Sequence, residues 1–160
     1  MKNRHKGFSM IELIVVIAII GIFTAVASIS MNYLTAGNVR SAAKTVDSNL
    51  SKLKLDTMSR EDKSYMHLYK KGDNYYMYCT TADKLDDSST PGTKIGNANV
   101  AIYVNGNLLK QGSPCTIAYK KGSGEFDLAP EKIEFKRADG SGSSYLLTII
   151  KETGKHYIEK

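Results

Sequence analysis

The chain has no charged residue from Leu13 to Ile29, no proline before Pro91, and two cysteines among its 160 residues. An uncharged run of that length argues against a soluble buried helix. About 20 apolar residues at roughly 1.5 Å each match the ~30 Å hydrocarbon core of a bilayer. Without a proline, nothing ahead of Pro91 forces a helix to break. The two cysteines, Cys79 and Cys115, allow one pairing at most. Catalytic groupings are also missing. Neither His67 nor His156 has an acidic residue or cysteine at ligand spacing, and His5 lies before the apolar run. Gly122-Ser123-Gly124 precedes no helix and lacks the Lys-Ser/Thr ending of a phosphate loop. Asp86-Asp87 has too few oxygen neighbours for calcium. No enzyme activity, metal or cofactor is therefore expected.

What is present is unevenly spread. Apolar residues make up 42% of the chain, and much of that sits in the one N-terminal block. The net charge is +6, of which Lys2, Arg4 and Lys6 supply three. The remaining excess is mild and reads as a solvated basic surface, with no nucleic-acid partner implied. The length suits about one domain of ordinary size.

Lys2, Arg4 and Lys6 precede the apolar run, and no further positive charge follows until Arg40. Positive flanks stay cytoplasmic, so the rest of the chain is expected outside a single membrane span. The span should be helical despite its many β-branched residues, because backbone groups in lipid must bond within their own segment. Glu12 breaks the pattern, with apolar neighbours on both sides. A carboxylate in that setting costs a few kcal/mol or more and calls for a partner. No Lys or Arg lies at helical spacing C-terminal to it, and the upstream charges would snorkel to water.

The segment Gly7-Phe8-Ser9-Met10-Ile11-Glu12-Leu13, followed by Ile14 to Ile22, resembles the processing and assembly motif of type IV pilins and pseudopilins. It combines a short basic leader, a glycine, a phenylalanine, a glutamate at fixed offset and an uninterrupted apolar run. The resemblance implies that a prepilin peptidase cuts between Gly7 and Phe8 and methylates the new Phe8 amine. It also implies that Glu12 neutralises the Phe8 amine of a neighbouring subunit. Members of this family often carry a proline after the glycine matching Gly21. Its absence here leaves Gly21 and Ser28-Ile29-Ser30 as the places where the first half of the helix could loosen. A rival cleavage site is Ala25-Val26-Ala27, which fits the small-residue rule of secretory signals and would release a soluble protein. Glu12 within the early apolar region argues against it.

Beyond Ser30 the pattern becomes amphipathic. Val39, Ala42, Ala43, Val46, Leu50 and Leu53 recur at steps of three and four. A helix is expected from about Phe8 to about Arg60, with a soft point near Gly37. From Tyr65 the pattern turns to strands at Tyr65–Lys71, Asn74–Thr80, Ala98–Val104, Cys115–Lys121, Lys132–Arg137, Tyr145–Lys151 and His156–Glu159. Gly72-Asp73 and Asn105-Gly106 mark hairpins, and Asp83 to Asn97 reads as a polar loop. Tyr75, Tyr76 and Tyr78 cluster on one strand, where tyrosine suits a half-buried pleated surface. Outside the cytoplasm, Cys79 and Cys115 are expected to form a disulfide, the alternative being two thiols packed as small hydrophobes.

The fold expected is α+β and pilin-like: a long N-terminal helix, membrane-spanning in its first half, packed on an antiparallel sheet. Residues 1–7 form a removed leader, 8–34 the membrane and filament-core helix, 35–60 its amphipathic continuation and 61–160 an outer β-rich domain. The closing strands are more similar to those of minor pilins or H-type pseudopilins than of major pilins. The function implied is that of a filament subunit in the cytoplasmic membrane and then at the cell surface. Its partners would be other pilin subunits, a prepilin peptidase and pilus assembly machinery. One alternative is a pseudopilin of a type II secretion or DNA-uptake machine. Another, of a different class, is a membrane-tethered binding domain that never polymerises.

Overall fold

A computed structural model describes residues 10–60, 62–85 and 92–160, with the backbone alone at 25–37. The chain divides into two compact units, Met1–Leu34 and Thr35–Lys160. Helix α1 (Met10–Ser59, 50 residues) begins in the first and ends in the second. Gly21, Ser28, Ile29, Ser30 and Gly37 are all helical, so none of the expected points of loosening interrupts it.

In the first unit, isoleucine and valine would favour strands in isolation, yet they are helical here. Thr24 is one of two polar residues in the run, with Ser28, and its hydroxyl is directed at the carbonyls of Ile20 and Gly21, at 3.0 and 2.9 Å. A threonine bonded back to its own helix costs little in an apolar setting.

The second unit is built around one stripe of α1. Val39, Ala42, Ala43, Val46 and Leu50 are fully buried and Leu53 nearly so, while Arg40, Lys44 and Lys52 face solvent. The spacing read from sequence therefore marks the buried face. Ten strands follow: β1 (Tyr65–Lys71), β2 (Asn74–Thr80), β3 (Thr93–Gly96), β4 (Val100–Val104), β5 (Asn107–Leu108), β6 (Cys115–Tyr119), β7 (Phe126–Leu128), β8 (Lys132–Arg137), β9 (Tyr145–Ile150) and β10 (Lys155–Glu159).

They form two antiparallel sheets rather than one. The first has the order β3-β2-β1-β6-β7, the second β10-β9-β8-β4-β5. Period-two alternation identifies a strand but not its partner, so the division into two sheets had no local signature. Residues of α1 and of both sheets share one apolar core, including Leu50, Met66, Leu68, Ile117, Ile102, Phe135 and Leu147.

Three short strands lack an alternating apolar pattern: β3, β5 and β7. β3 corrects the expectation of a loop over Asp83 to Asn97. Thr93 and Lys94 are exposed while Ile95 and Gly96 are buried, and the strand pairs with β2 across a register shift at Tyr75/Tyr76. The hairpin signals hold. Asn105 and Gly106 both have positive φ, 49° and 83°, as a type I′ turn requires. The Asn105 side-chain oxygen also accepts from the backbone N–H of Glu131 and Lys132, at 2.9 and 3.1 Å, and so holds the start of β8. At Gly72-Asp73 only Gly72 is left-handed (φ 58°), which suits the II′ alternative.

Strand β1 is buried on both faces. Met66 and Leu68 enter the core, while His67 and Tyr69 are covered on the other side. The His67 Nε2–H donates to the Ala82 carbonyl at 3.1 Å, and Thr116 Oγ1 lies 2.9 Å from Nδ1. The Gly92 N–H donates to the Tyr69 hydroxyl at 3.0 Å. His67 is thus a hydrogen-bonded core residue.

Candidate processing and assembly segment

The functional segment read from sequence starts at the leader. Gly7 and Phe8 lie outside the described residues, as do Lys2, Arg4, His5, Lys6, Asp86, Asp87 and Pro91. Glu12 sits in the first turn of α1 with its side chain exposed. An acidic group there complements the partial positive charge of a helix N-terminus.

Around and beyond Glu12 the helix is apolar on every side. Met10, Ile11, Leu13, Ile14, Val15, Val16, Ile17, Ile19, Ile20, Ile22 and Phe23 are all exposed, the least of them Val16 at 44%. A helix that is apolar all round is normally buried in a large core or in lipid. Gly21 adds to this picture. A Cβ built on it would meet nothing within 4 Å, so no close contact inside the chain requires glycine there. Among the described residues no helix is long and apolar enough to cross a membrane, and the described side chains of the apolar run end at Thr24. The side chains of Ala25, Val26 and Ala27, the rival cleavage site, lie beyond that point.

The expected disulfide is not formed. Cys79 and Cys115 are free thiols. Cys79 on β2 pairs with Met66 of β1, and Cys115 on β6 pairs with Leu68 of the same strand. With β1 between them, the two Cα atoms are at least two strand spacings apart, about 9.6 Å. A disulfide needs less than about 7 Å. Burial pushes the Cys115 thiol up to about 12, and it raises the Cys79 thiol as well.

One cluster in the Thr35–Lys160 unit escaped sequence reasoning. His156 of β10 reaches α1, where its Nε2–H donates to the Asp47 carbonyl at 3.2 Å, with Ser51 Oγ at 3.3 Å and the Asp47 carboxylate at 3.5 Å. On its other side Nδ1 lies 3.3 Å from the Tyr119 hydroxyl of β6, and its ring meets Phe126 of β7 edge-on. A single histidine thus ties the helix to both sheets. Lys54 of α1 donates to the Gly154 carbonyl at 3.2 Å and lies over the Tyr119 ring. Burial pushes the Tyr119 hydroxyl well above the usual phenol range. Tyr119 is fully buried, so this cluster offers a substrate no path to the hydroxyl. Asp47 and His156 are 109 residues apart, which is why no spacing rule could pair them. Among the described residues no group of three or more His, Cys, Asp or Glu could hold a metal ion.

Residues 2–28 match the family described as the prokaryotic N-terminal methylation motif. The chain carries a prokaryotic N-terminal methylation motif. The methylation motif is consistent with a type IV pilin or pseudopilin. It covers Gly7, Phe8, Glu12 and the exposed apolar turns through Phe23, and it ends before the second unit begins at Thr35. No curated protein and no solved structure matches the chain significantly. The described residues form an α+β structure, with an N-terminal helix and antiparallel sheets.

Proposed function

We propose that this protein is a structural subunit of a type IV pilus-like filament, cleaved after Gly7, methylated at Phe8 and assembled through its N-terminal helix. One observation carries this reading. Directly within the methylation motif, eleven large apolar side chains from Met10 to Phe23 stand exposed around the whole helix. Surface of that kind needs a bilayer or the helices of other subunits to cover it. The subunit would first sit in the cytoplasmic membrane as a single-pass protein with its Thr35–Lys160 unit outside. It would then pass into a filament of pilin-like subunits whose cores are packed helices.

Glu12 supplies the register. A carboxylate and an amine are each costly to remove from water alone, and pairing compensates both charges at once. The amine exposed on Phe8 by cleavage is the partner of opposite charge. Such pairing selects one stagger between neighbours, the best supported use of buried charge. The role is structural rather than enzymatic. A pseudopilin of a secretion or DNA-uptake machine would use the same chemistry.

Two measurements test this. Intact mass of the mature protein should show a chain that starts at Phe8 and carries one extra methyl group. Glu12→Ala should leave the membrane level of the protein unchanged but remove it from sheared filaments. A mature chain starting after Ala27, or Glu12→Ala filaments at wild-type yield, would refute the mechanism.

A further inference from the structure

Among the described residues of the Thr35–Lys160 unit, six large apolar side chains are exposed, and four of them share one place. Leu55, Met58, Ile150 and Tyr157 line a groove of about 680 Å3 between α1 and the β9–β10 hairpin. Isolated surface leucines need no explanation, but apolar side chains grouped in a concave surface mark a binding site. The volume falls within the range of about 300–1,000 Å3 usual for small-molecule sites, which are mostly apolar with a few placed polar groups.

The charged groups in this groove are of one sign. Lys54 and Lys155 both line it, and among the described lining residues there is no Asp or Glu. Lys54 is half-buried and held in place. Its ammonium donates to the Gly154 carbonyl at 3.2 Å and lies over the Tyr119 ring, 5.7 Å from its centre. A Cβ on Gly154 would stand 3.0 Å from the Lys54 nitrogen and would run into the Gly124 carbonyl; one on Gly124 would stand 2.8 Å from Lys54 Cε. Two glycines thus leave the space that the Lys54 side chain takes. Yet no carboxylate meets it there. Neither Lys54 nor Lys155 forms an ion pair among the described residues. A half-buried ammonium whose partners are a carbonyl and a ring face still calls for a counter-charge, and it has two N–H donors left. Lys155 follows Gly154 in the chain, so both cations stand at the β9–β10 turn, beside the apolar side chains.

We propose that this groove binds a long-chain fatty carboxylate, its alkyl chain against Leu55, Met58, Ile150 and Tyr157 and its head between Lys54 and Lys155. The charge of the lining calls for an anion, and the exposed side chains call for an apolar body. A neutral apolar ligand would cover Lys54 without compensating it. An acidic peptide would bring backbone N–H and C=O groups against four apolar side chains that offer them no partner. Met58 suits a flexible alkyl chain, being unbranched and adaptable itself. All of these residues lie in the Thr35–Lys160 unit, so the site does not depend on the filament reading.

The test uses the full-length chain in phosphatidylcholine nanodiscs and hexadecanoate carrying a mid-chain diazirine as the probe. After irradiation and trypsin digestion, the label within the Thr35–Lys160 unit should fall on residues 55–60 and 156–160, the peptides that hold Leu55, Met58 and Tyr157. The methyl ester of the same probe keeps the chain and loses the charge. At equal uptake into the nanodisc it should label residues 55–60 at least about tenfold less, a ratio equivalent to ~1.4 kcal/mol. Lys155→Glu should weaken labelling by the acid to a similar extent with Tm unchanged, because Lys155 is exposed. Lys54 also ties the hairpin to α1, so its variant is Lys54→Gln, which keeps a donor for the Gly154 carbonyl; it too should lose the label. Equal labelling by acid and ester would reduce the groove to an apolar patch and overturn the proposal. Wild-type labelling of both lysine variants would overturn it as well. So would an unlabelled groove in nanodiscs that have taken up the probe, the result expected if another copy of the chain covers it.

Discussion

His156→Ala removes a side chain of β10 that touches α1, β6 and β7, and its cost can be worked out from the contacts. The Tyr119 hydroxyl loses its 3.3 Å partner in a fully buried position. Stranding a buried hydroxyl costs about 1–3 kcal/mol. The edge-on contact with Phe126 adds about 0.5–1.5 kcal/mol. The total, ~2–4 kcal/mol, should lower Tm by about 10 °C for a domain of this size. The assay is thermal unfolding of the full chain in detergent, followed by near-ultraviolet circular dichroism of the tyrosines. A double-mutant cycle isolates the hydrogen bond. Tyr119→Phe should cost about 1 kcal/mol in the wild type and nothing, or a small gain, beside His156→Ala. A Tm within about 2 °C of wild type, or strictly additive effects, would refute the claim that His156 couples the helix to both sheets.

Three further outcomes follow from the geometry. Protein purified without reductant should show two free thiols. Near pH 8, Cys79 should alkylate first, because only about one in 10⁴ Cys115 thiols is ionised when its pKa stands near 12; an intramolecular Cys79–Cys115 bond found by peptide mapping would contradict the register. The same shift sets an alkaline trend. Cys115 is raised in the folded chain above its value of about 8.5 when unfolded, so its contribution is complete below that pH and is lost as pH climbs toward 12. Urea midpoints should fall over that window, and Cys115→Val should flatten the fall; an unchanged slope would exclude this cause. Finally, Asn105→Ala should destabilise by about 2–3 kcal/mol, combining a left-handed φ of 49° with two lost hydrogen bonds. Asn105→Gly should cost less, since it keeps the φ, and equal losses in urea melts would show that the turn conformation does not matter.

Local chemistry made part of this protein legible in its sequence. The apolar run, Glu12 and the basic residues before it stood out because the length of a bilayer span and the cost of a carboxylate among apolar residues are properties of the chain alone. The stripe from Val39 to Leu53 was legible because helical spacing puts those residues on one face. The Asn105-Gly106 turn was legible because few residues accept a left-handed backbone. Only tertiary structure decided the rest. Two sheets replace one because pairing partners are chosen by long-range packing. The cysteines stay apart because β1 runs between them, although each lies in a strand marked by its own alternation. His156 meets Asp47 across 109 residues. Contacts of that kind depend on which distant segments the fold brings within a few ångströms, and no local pattern encodes that.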